Sequence, residues 1–263
     1  MKAVILCGGR GTRLHDATAG TIPKPMVEVG GRPLLWHIMK GYAHHGHNDF
    51  VLCLGHLGHV IKEYFLHYEA MNSDLTLHMG SPGRVDYHGG AGQVDWTVTL
   101  ADTGKEAGTG TRLARVEKHL GREPFLLTYG DGVADVDIGK LLAFHRSHGR
   151  IATVTGVIPT GRFGLLWVEN GRVVRFLEKP SMEVERINGG FFVFNPEIFD
   201  VLRLYPECML EQEPLEKLSQ DGELMMYEHD GYWRCVDTLR DLLELEEHWS
   251  AGRSPWVVWK DGD

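Results

Sequence analysis

The apolar run Ala3-Val4-Ile5-Leu6 and the segment Gly8-Gly9-Arg10-Gly11-Thr12-Arg13 behind it constrain this chain more than any other stretch. They read as a buried strand feeding a glycine-rich loop that carries two guanidinium groups. Glycines let backbone N–H groups close around phosphate oxygens, which a Cβ would obstruct. Arginine adds a planar, permanently charged fork suited to phosphate. Pro23-Lys24-Pro25 follows shortly, and proline on both sides stiffens the backbone and places Lys24 at a defined point.

Two better-known phosphate loops do not match. A Walker A loop closes on Gly-Lys-Ser/Thr, whereas this one closes on Gly11-Thr12-Arg13. The dinucleotide fingerprint needs a third glycine, but Arg13 is followed by Leu14. No acidic residue stands about 20 positions after the loop in a fitting βα context, so a dehydrogenase of that type is excluded. Taken by itself, the loop also fits a tight turn with solvated arginines.

The formal charge of −9 opposes a nucleic-acid or anionic-membrane partner, which needs a basic patch. It leaves room for a small phosphorylated ligand held by a few focused Arg and Lys residues and Mg2+. Cys7, Cys53, Cys208 and Cys235 show no C-x-x-C spacing, so zinc and redox motifs are not expected. Scattered thiols suit a reducing cytosol. The apolar run before Gly8 is too short for a signal peptide, and no stretch approaches transmembrane length, so a cytoplasmic protein is expected. His44, His45 and His47 cluster without metal-binding spacing at the end of a predicted helix, where imidazoles face solvent beside the negative dipole end.

Periodicity predicts strands at 2–6, 50–54, 75–79, 96–101, 125–128, 151–157, 173–177 and 191–194, with a short one near 225–228. Helices are predicted over 33–42, 59–68, 138–148, 213–219 and 239–249, and a flexible glycine-rich loop over 80–93. The opening β-α-β-α order implies an α/β fold, a mostly parallel open sheet flanked by helices, with a small C-terminal extension. A single domain over 1–263 is the economical reading.

In open α/β sheets ligands sit outside the carboxyl ends of the parallel strands. Asp131, between Gly130 and Gly132, follows the strand at 125–128, and a carboxylate there can hold Mg2+. Gly-Asp-Gly is equally a common turn. Glu178-Lys179-Pro180 follows another strand, and Asn188-Gly189-Gly190 precedes the next. An acid and an amide can hydrogen-bond sugar hydroxyls, and a lysine pairs with phosphate as a point charge. Asp237 ends the apolar stretch that starts at Trp233.

In this order, GGRGTRL, Pro23-Lys24-Pro25-Met26, Gly130-Asp131, Glu178-Lys179-Pro180 and Asp237 resemble the sugar-1-phosphate nucleotidylyltransferases. The longer stretches FLLTYGDGVADVD, INGGFFVFNPEIFD and VDTLRDLLELE resemble the branch of that family that uses CTP and glucose 1-phosphate, and the resemblance covers nearly the whole chain. It implies a Rossmann-like nucleotidyltransferase with a sugar-phosphate-binding part at 155–240 and a helical extension at 239–263. It implies that Leu6, Cys7, Gly8, Gly9, Arg10, Gly11, Thr12 and Arg13 hold the nucleotide, with Arg13 on the β and γ phosphates. Lys24 would neutralise the α-phosphate, Gly108, Thr109 and Arg112 would face the base, and the stretch Thr128 to Gly130 would lie near the ribose. Asp131 and Asp237 would bind Mg2+, while Gly164, Glu178, Lys179, Asn188 and Gly189 would hold the sugar phosphate, Lys179 on its phosphate. Arg13, Lys24 and Lys179 would be the catalytic residues. Cys7 stands where the family has alanine, and Thr111 where it has a second glycine.

A homo-oligomer is implied as well, with no nucleic-acid or membrane partner. Trp256-Val257-Val258-Trp259 would pack against a neighbour or cover the chain's own core. Two other readings stay open: a nucleotidylyltransferase for another base or hexose 1-phosphate, and a catalytically idle, ligand-binding regulatory relative. Retention of Arg13, Lys24, Asp131, Lys179 and Asp237 speaks against the second.

Overall fold

Strand β1 (Lys2–Leu6) divides its side chains between two apolar layers: Ala3 and Ile5 enter one core, Val4 and Leu6 the other. A strand buried on both faces requires this two-residue period. The computed structural model describes residues 1–9, 20–81, 83–90, 94–159, 165–169, 171–177 and 186–259. Arg10, Gly11, Thr12, Arg13, Gly164, Glu178 and Lys179 lie outside the described residues.

Short strands β2 (Glu28–Val29) and β3 (Arg32–Pro33) pair antiparallel and lead into the helix Leu34–His44. That helix buries Leu34, Leu35, Ile38, Met39 and Tyr42, an inner stripe at helical spacing. In β4 (Asp49–Leu54), Phe50, Leu52 and Leu54 face the first core and Val51 and Cys53 the second. The helix Gly58–Leu66 follows, then the antiparallel hairpin β5 (Ser73–Leu77) and β6 (Val85–Gly90), then β7 (Thr97–Asp102). Next come the helix Thr109–Arg115, β8 (Phe125–Tyr129), β9 (Gly132–Ala134) and the helix Ile138–His148. After β10 (Ala152–Val157), β11 (Leu165–Glu169) and β12 (Arg172–Leu177) form a hairpin, followed by β13 (Ile187–Asn188) and β14 (Phe192–Phe194). The helices Ile198–Leu204 and Glu213–Gln220, β15 (Leu224–His229), β16 (Trp233–Cys235) and the helix Leu239–Ser250 complete the order.

The main sheet runs β13-β10-β14-β8-β1-β4-β7, with β15 on the other edge of β10. Strands β8, β1, β4 and β7 are mutually parallel, so their carboxyl ends share one rim. Strand β14 runs antiparallel between β8 and β10 and makes the sheet mixed on that side.

Two expectations change, and one open alternative closes. Part of the loop predicted over 80–93 is strand β6: Gly83, at a φ of +86°, helps reverse the chain so that Val85 and Tyr87 pair with Leu77 and Leu75. Of the histidine cluster only His44 is exposed. The chain reverses at Gly46 into β4, which carries His47 against the N-terminal residue, and burial lowers its pKa to about 4. Finally, Trp256 and Trp259 are buried in the chain's own core beside His37 rather than offered to a neighbour.

Candidate active site

A cavity of about 220 Å3 opens at the shared rim. Its walls include Leu6, Cys7, Gly8 and Gly9 beyond β1, Tyr129, Gly130 and Asp131 at the end of β8, Lys24 and Pro25, and Gly108, Thr109 and Arg112 from the helix Thr109–Arg115. Residues spread over 126 positions thus meet because parallel strands end together. Gly130 permits a close approach: its N–H donates to the Leu6 carbonyl at 3.0 Å, and a Cβ there would press on Pro25 at 2.9 Å.

Lys24 forms the floor. Its Nζ lies 2.6 Å from Asp237 Oδ1 and 3.4 Å from Asp131 Oδ2. The two aspartates, far apart in sequence, are joined by main chain: β9 pairs with β16, and the Val236 N–H donates to the Asp131 carbonyl at 2.8 Å. Thr238 caps the helix Leu239–Ser250 in a capping box with Asp241, whose Oδ2 also accepts from the Asp237 N–H at 3.2 Å. Asp237 is therefore held by a helix start rather than by a free loop.

Charge is unevenly satisfied in this cluster. Burial raises the pKa of Asp131, and repulsion from Asp237 adds to it, outweighing the Lys24 ammonium. Burial opposes the charge on Lys24, but the Asp237 hydrogen bond and both carboxylates prevail and raise its pKa. Among the described residues, the Lys24 ammonium stands between the two carboxylates. Hard oxygen donors of this kind fit a divalent cation such as Mg2+, and Lys24 Nζ marks where positive charge is favoured. Cys235 joins the same group, with its Sγ and one oxygen of each aspartate all within 4.8 Å of one another.

Several expected nucleotide ligands have side chains already committed to protein. Arg112, 4% exposed, donates from Nη1 to the Leu54 carbonyl (3.1 Å), Thr103 Oγ1 (3.0 Å) and the Gly104 carbonyl (2.7 Å), and from Nη2 to the carbonyls of Gly8 (3.0 Å) and Lys105 (3.3 Å). Its guanidinium ties Gly8 to the segments at the ends of β4 and β7. The Thr109 hydroxyl donates to Glu211 and accepts from the Leu210 N–H. Thr128 is 2% exposed because strand alternation turns it inward, and Tyr129, one position on, lines the cavity instead. These three side chains are thus engaged by the protein itself, while Thr109 and Arg112 also line the cavity.

Asn188 and Gly189 sit beside Tyr129. Asn188 Nδ2 donates to the Tyr129 hydroxyl at 3.1 Å, and Gly189 is fixed through its N–H to the Thr155 carbonyl and its carbonyl from Trp233 Nε1. Sequence reasoning missed Glu211 and Cys235. Cys235 is two residues before Asp237, a spacing that puts both on one face of an extended segment. For Glu211, remote in sequence from every motif, only the fold supplies the signal.

The family profile described as nucleotidyl transferase matches residues 2–251. The glucose-1-phosphate cytidylyltransferases of Salmonella typhi and Salmonella typhimurium are each 51% identical to this chain over 261 residues, covering 99% of it and 100% of the relative. Among solved structures, HddC from Yersinia pseudotuberculosis shares the fold with a TM-score of 0.67 at 22% identity, over 94% of this chain and 99% of that one.

Proposed function

Since the chain belongs to the nucleotidyl transferase family, we propose that it transfers the cytidylyl group of CTP to glucose 1-phosphate, giving CDP-glucose and pyrophosphate. The observation that carries the site assignment is the convergence of Lys24, Asp131 and Asp237 beside Gly8, Gly9 and Gly130 at the rim of the sheet. The choice of cytidine and glucose is supported by identity to the Salmonella enzymes along their whole length.

In the proposed reaction an oxygen of the sugar phosphate attacks the α-phosphorus of CTP in line. A new P–O bond forms, the bond between the α-phosphorus and the bridging oxygen breaks, and pyrophosphate leaves. The nucleophile is already an anion near neutral pH, so no general base is needed. What the protein must supply is positioning, and neutralisation of phosphates that otherwise repel the incoming anion. Gly8 and Gly9 offer main-chain N–H groups to phosphate oxygens, as do Arg10 to Arg13 in this reading. Lys24 places its ammonium against the α-phosphate, where charge accumulates. Lys179 pairs with the phosphate of the sugar, and Gly164, Glu178, Asn188 and Gly189 hold its hydroxyls.

Asp131 and Asp237 would hold the divalent cation, which the reading takes as Mg2+. When bound, that cation offsets triphosphate charge and eases departure of pyrophosphate. No helix of the described residues is long and apolar enough to cross a membrane, in keeping with a cytoplasmic enzyme. Self-association is part of the proposal, with the β5–β6 hairpin, where Leu75, Leu77 and Tyr87 are exposed, as the face that meets a second copy. The testing experiment is a panel of CTP, UTP, dTTP, ATP and GTP with glucose 1-phosphate and Mg2+, read by pyrophosphate release. CTP turning over fastest supports the proposal, and preference for another nucleotide overturns it.

A further inference from the structure

Four side chains from four segments form one continuous hydrogen-bonded row: Thr109, Glu211, Tyr129 and Asn188. The direction of each hydrogen in it is determined by chemistry. The Leu210 N–H donates to Thr109 Oγ1 at 2.8 Å, and the Thr109 hydroxyl in turn donates to Glu211 Oε2 at 2.6 Å. The Tyr129 hydroxyl donates to the other carboxylate oxygen, Oε1, also at 2.6 Å. At the far end the Gly190 N–H donates to Asn188 Oδ1 at 2.9 Å, which fixes the amide orientation. Its nitrogen is then the group 3.1 Å from the Tyr129 oxygen, and it donates.

A carboxylate at the centre is what makes this polarity hold. It only accepts, so both hydroxyls point their hydrogens at it, and the Tyr129 oxygen is left with lone pairs for Asn188. Burial raises the pKa of Tyr129, and Glu211 beside it raises it further, so the hydroxyl keeps the hydrogen the row requires. Thr109 and Tyr129 line the cavity, and Glu211 stands behind both. One N–H of Asn188 is used on Tyr129, and the second meets no acceptor among the described residues.

We propose that Glu211 is a positioning residue for the sugar substrate: through Tyr129 it sets Asn188 as a hydrogen donor to a hydroxyl of the sugar phosphate. This rests on the reading that Asn188 meets the sugar. Glutamine at 211 keeps size but breaks the polarity. Its oxygen can still accept from Thr109, whose own oxygen is taken by Leu210. Its NH2 group then faces Tyr129, whose hydrogen turns toward Asn188 and meets an N–H.

The experiment is steady-state kinetics on the full chain with each substrate varied in turn, for Glu211→Gln, Tyr129→Phe, the double variant and Asn188→Ala, with thermal melts confirming folding. Glu211→Gln should raise KM for glucose 1-phosphate roughly five- to tenfold, the effect of one lost hydrogen bond between neutral groups at the upper end of its range, with kcat and KM for CTP changed less than about threefold. Tyr129→Phe should do the same, and the double variant should be no worse than Tyr129→Phe alone, since both cut one path. An unchanged sugar-phosphate KM in Glu211→Gln, or fully additive effects in the double variant, overturns the relay. Asn188→Ala separates the two layers. A raised sugar-phosphate KM there with none in Glu211→Gln leaves the Asn188 reading standing and removes the relay, whereas no effect in Asn188→Ala removes both.

Discussion

Replacing Arg112 with methionine removes a guanidinium that makes five hydrogen bonds and is 4% exposed. Each bond from a charged donor is worth about 1.5–3 kcal/mol in isolation, but five from one group do not add. Burial of the charge works against them and lowers the Arg112 pKa from its ordinary value. A buried acceptor left without its donor costs about 1–3 kcal/mol, and because the carbonyls of Gly8, Leu54, Gly104 and Lys105 lose theirs together, about 3–5 kcal/mol in all is expected. For a chain of this size that lowers Tm by roughly 10 °C. Arg112→Lys should recover only part of the loss, since one ammonium cannot span acceptors placed for a planar fork. Urea denaturation followed by circular dichroism, with calorimetry for Tm, measures both variants. Stability of Arg112→Met within about 1 kcal/mol of wild type, together with a large rise in KM for the nucleotide, would refute the reasoning and return Arg112 to the base.

Gly8→Ala should be destabilising by about 1–3 kcal/mol, because its Cβ would overlap the Arg112 guanidinium, whereas at Gly9 no atom of the described residues lies within 4 Å and the same change should leave Tm unaltered. His37, 1% exposed, has its pKa lowered from 6.5 to about 4 by burial. The unfolded chain therefore binds the extra proton first, so this contribution is complete above pH 6.5 and is lost as pH falls toward about 4, in all roughly 3 kcal/mol. Urea midpoints across that interval should fall less steeply in His37→Gln; an identical slope would contradict the assignment. Asp237→Asn should weaken Mn2+ or Mg2+ binding at least about tenfold by calorimetry, and unchanged affinity would take Asp237 out of the cation site.

The parallel half of the sheet was legible because strands buried on both faces leave unbroken apolar runs, as in Phe50 to Leu54 and Phe125 to Leu127. Legible too was the gathering of Gly8, Gly9, Lys24, Asp131 and Asp237, since each follows a strand end or a stiffened turn. What escaped is what tertiary packing decides. Arg112 looks like a ligand in sequence, and only the carbonyls converging from β4, β7 and the Gly8 loop consume it. Glu211 carries no motif, yet two hydroxyls from remote segments end on it. The hairpin at β6 was masked by its glycines, and His47 was drawn inward by a reversal at Gly46 that periodicity does not register.

The turnover of Lys24→Met tests the central claim most directly, because Lys24 sits between the two aspartates on the cavity floor. The measurement is pyrophosphate release from CTP and glucose 1-phosphate with Mg2+, on protein whose circular dichroism matches wild type. The account predicts a folded variant whose kcat falls by about 100- to 1,000-fold, the loss typical when one group that stabilises developing charge is removed. Turnover within about tenfold of wild type would contradict it.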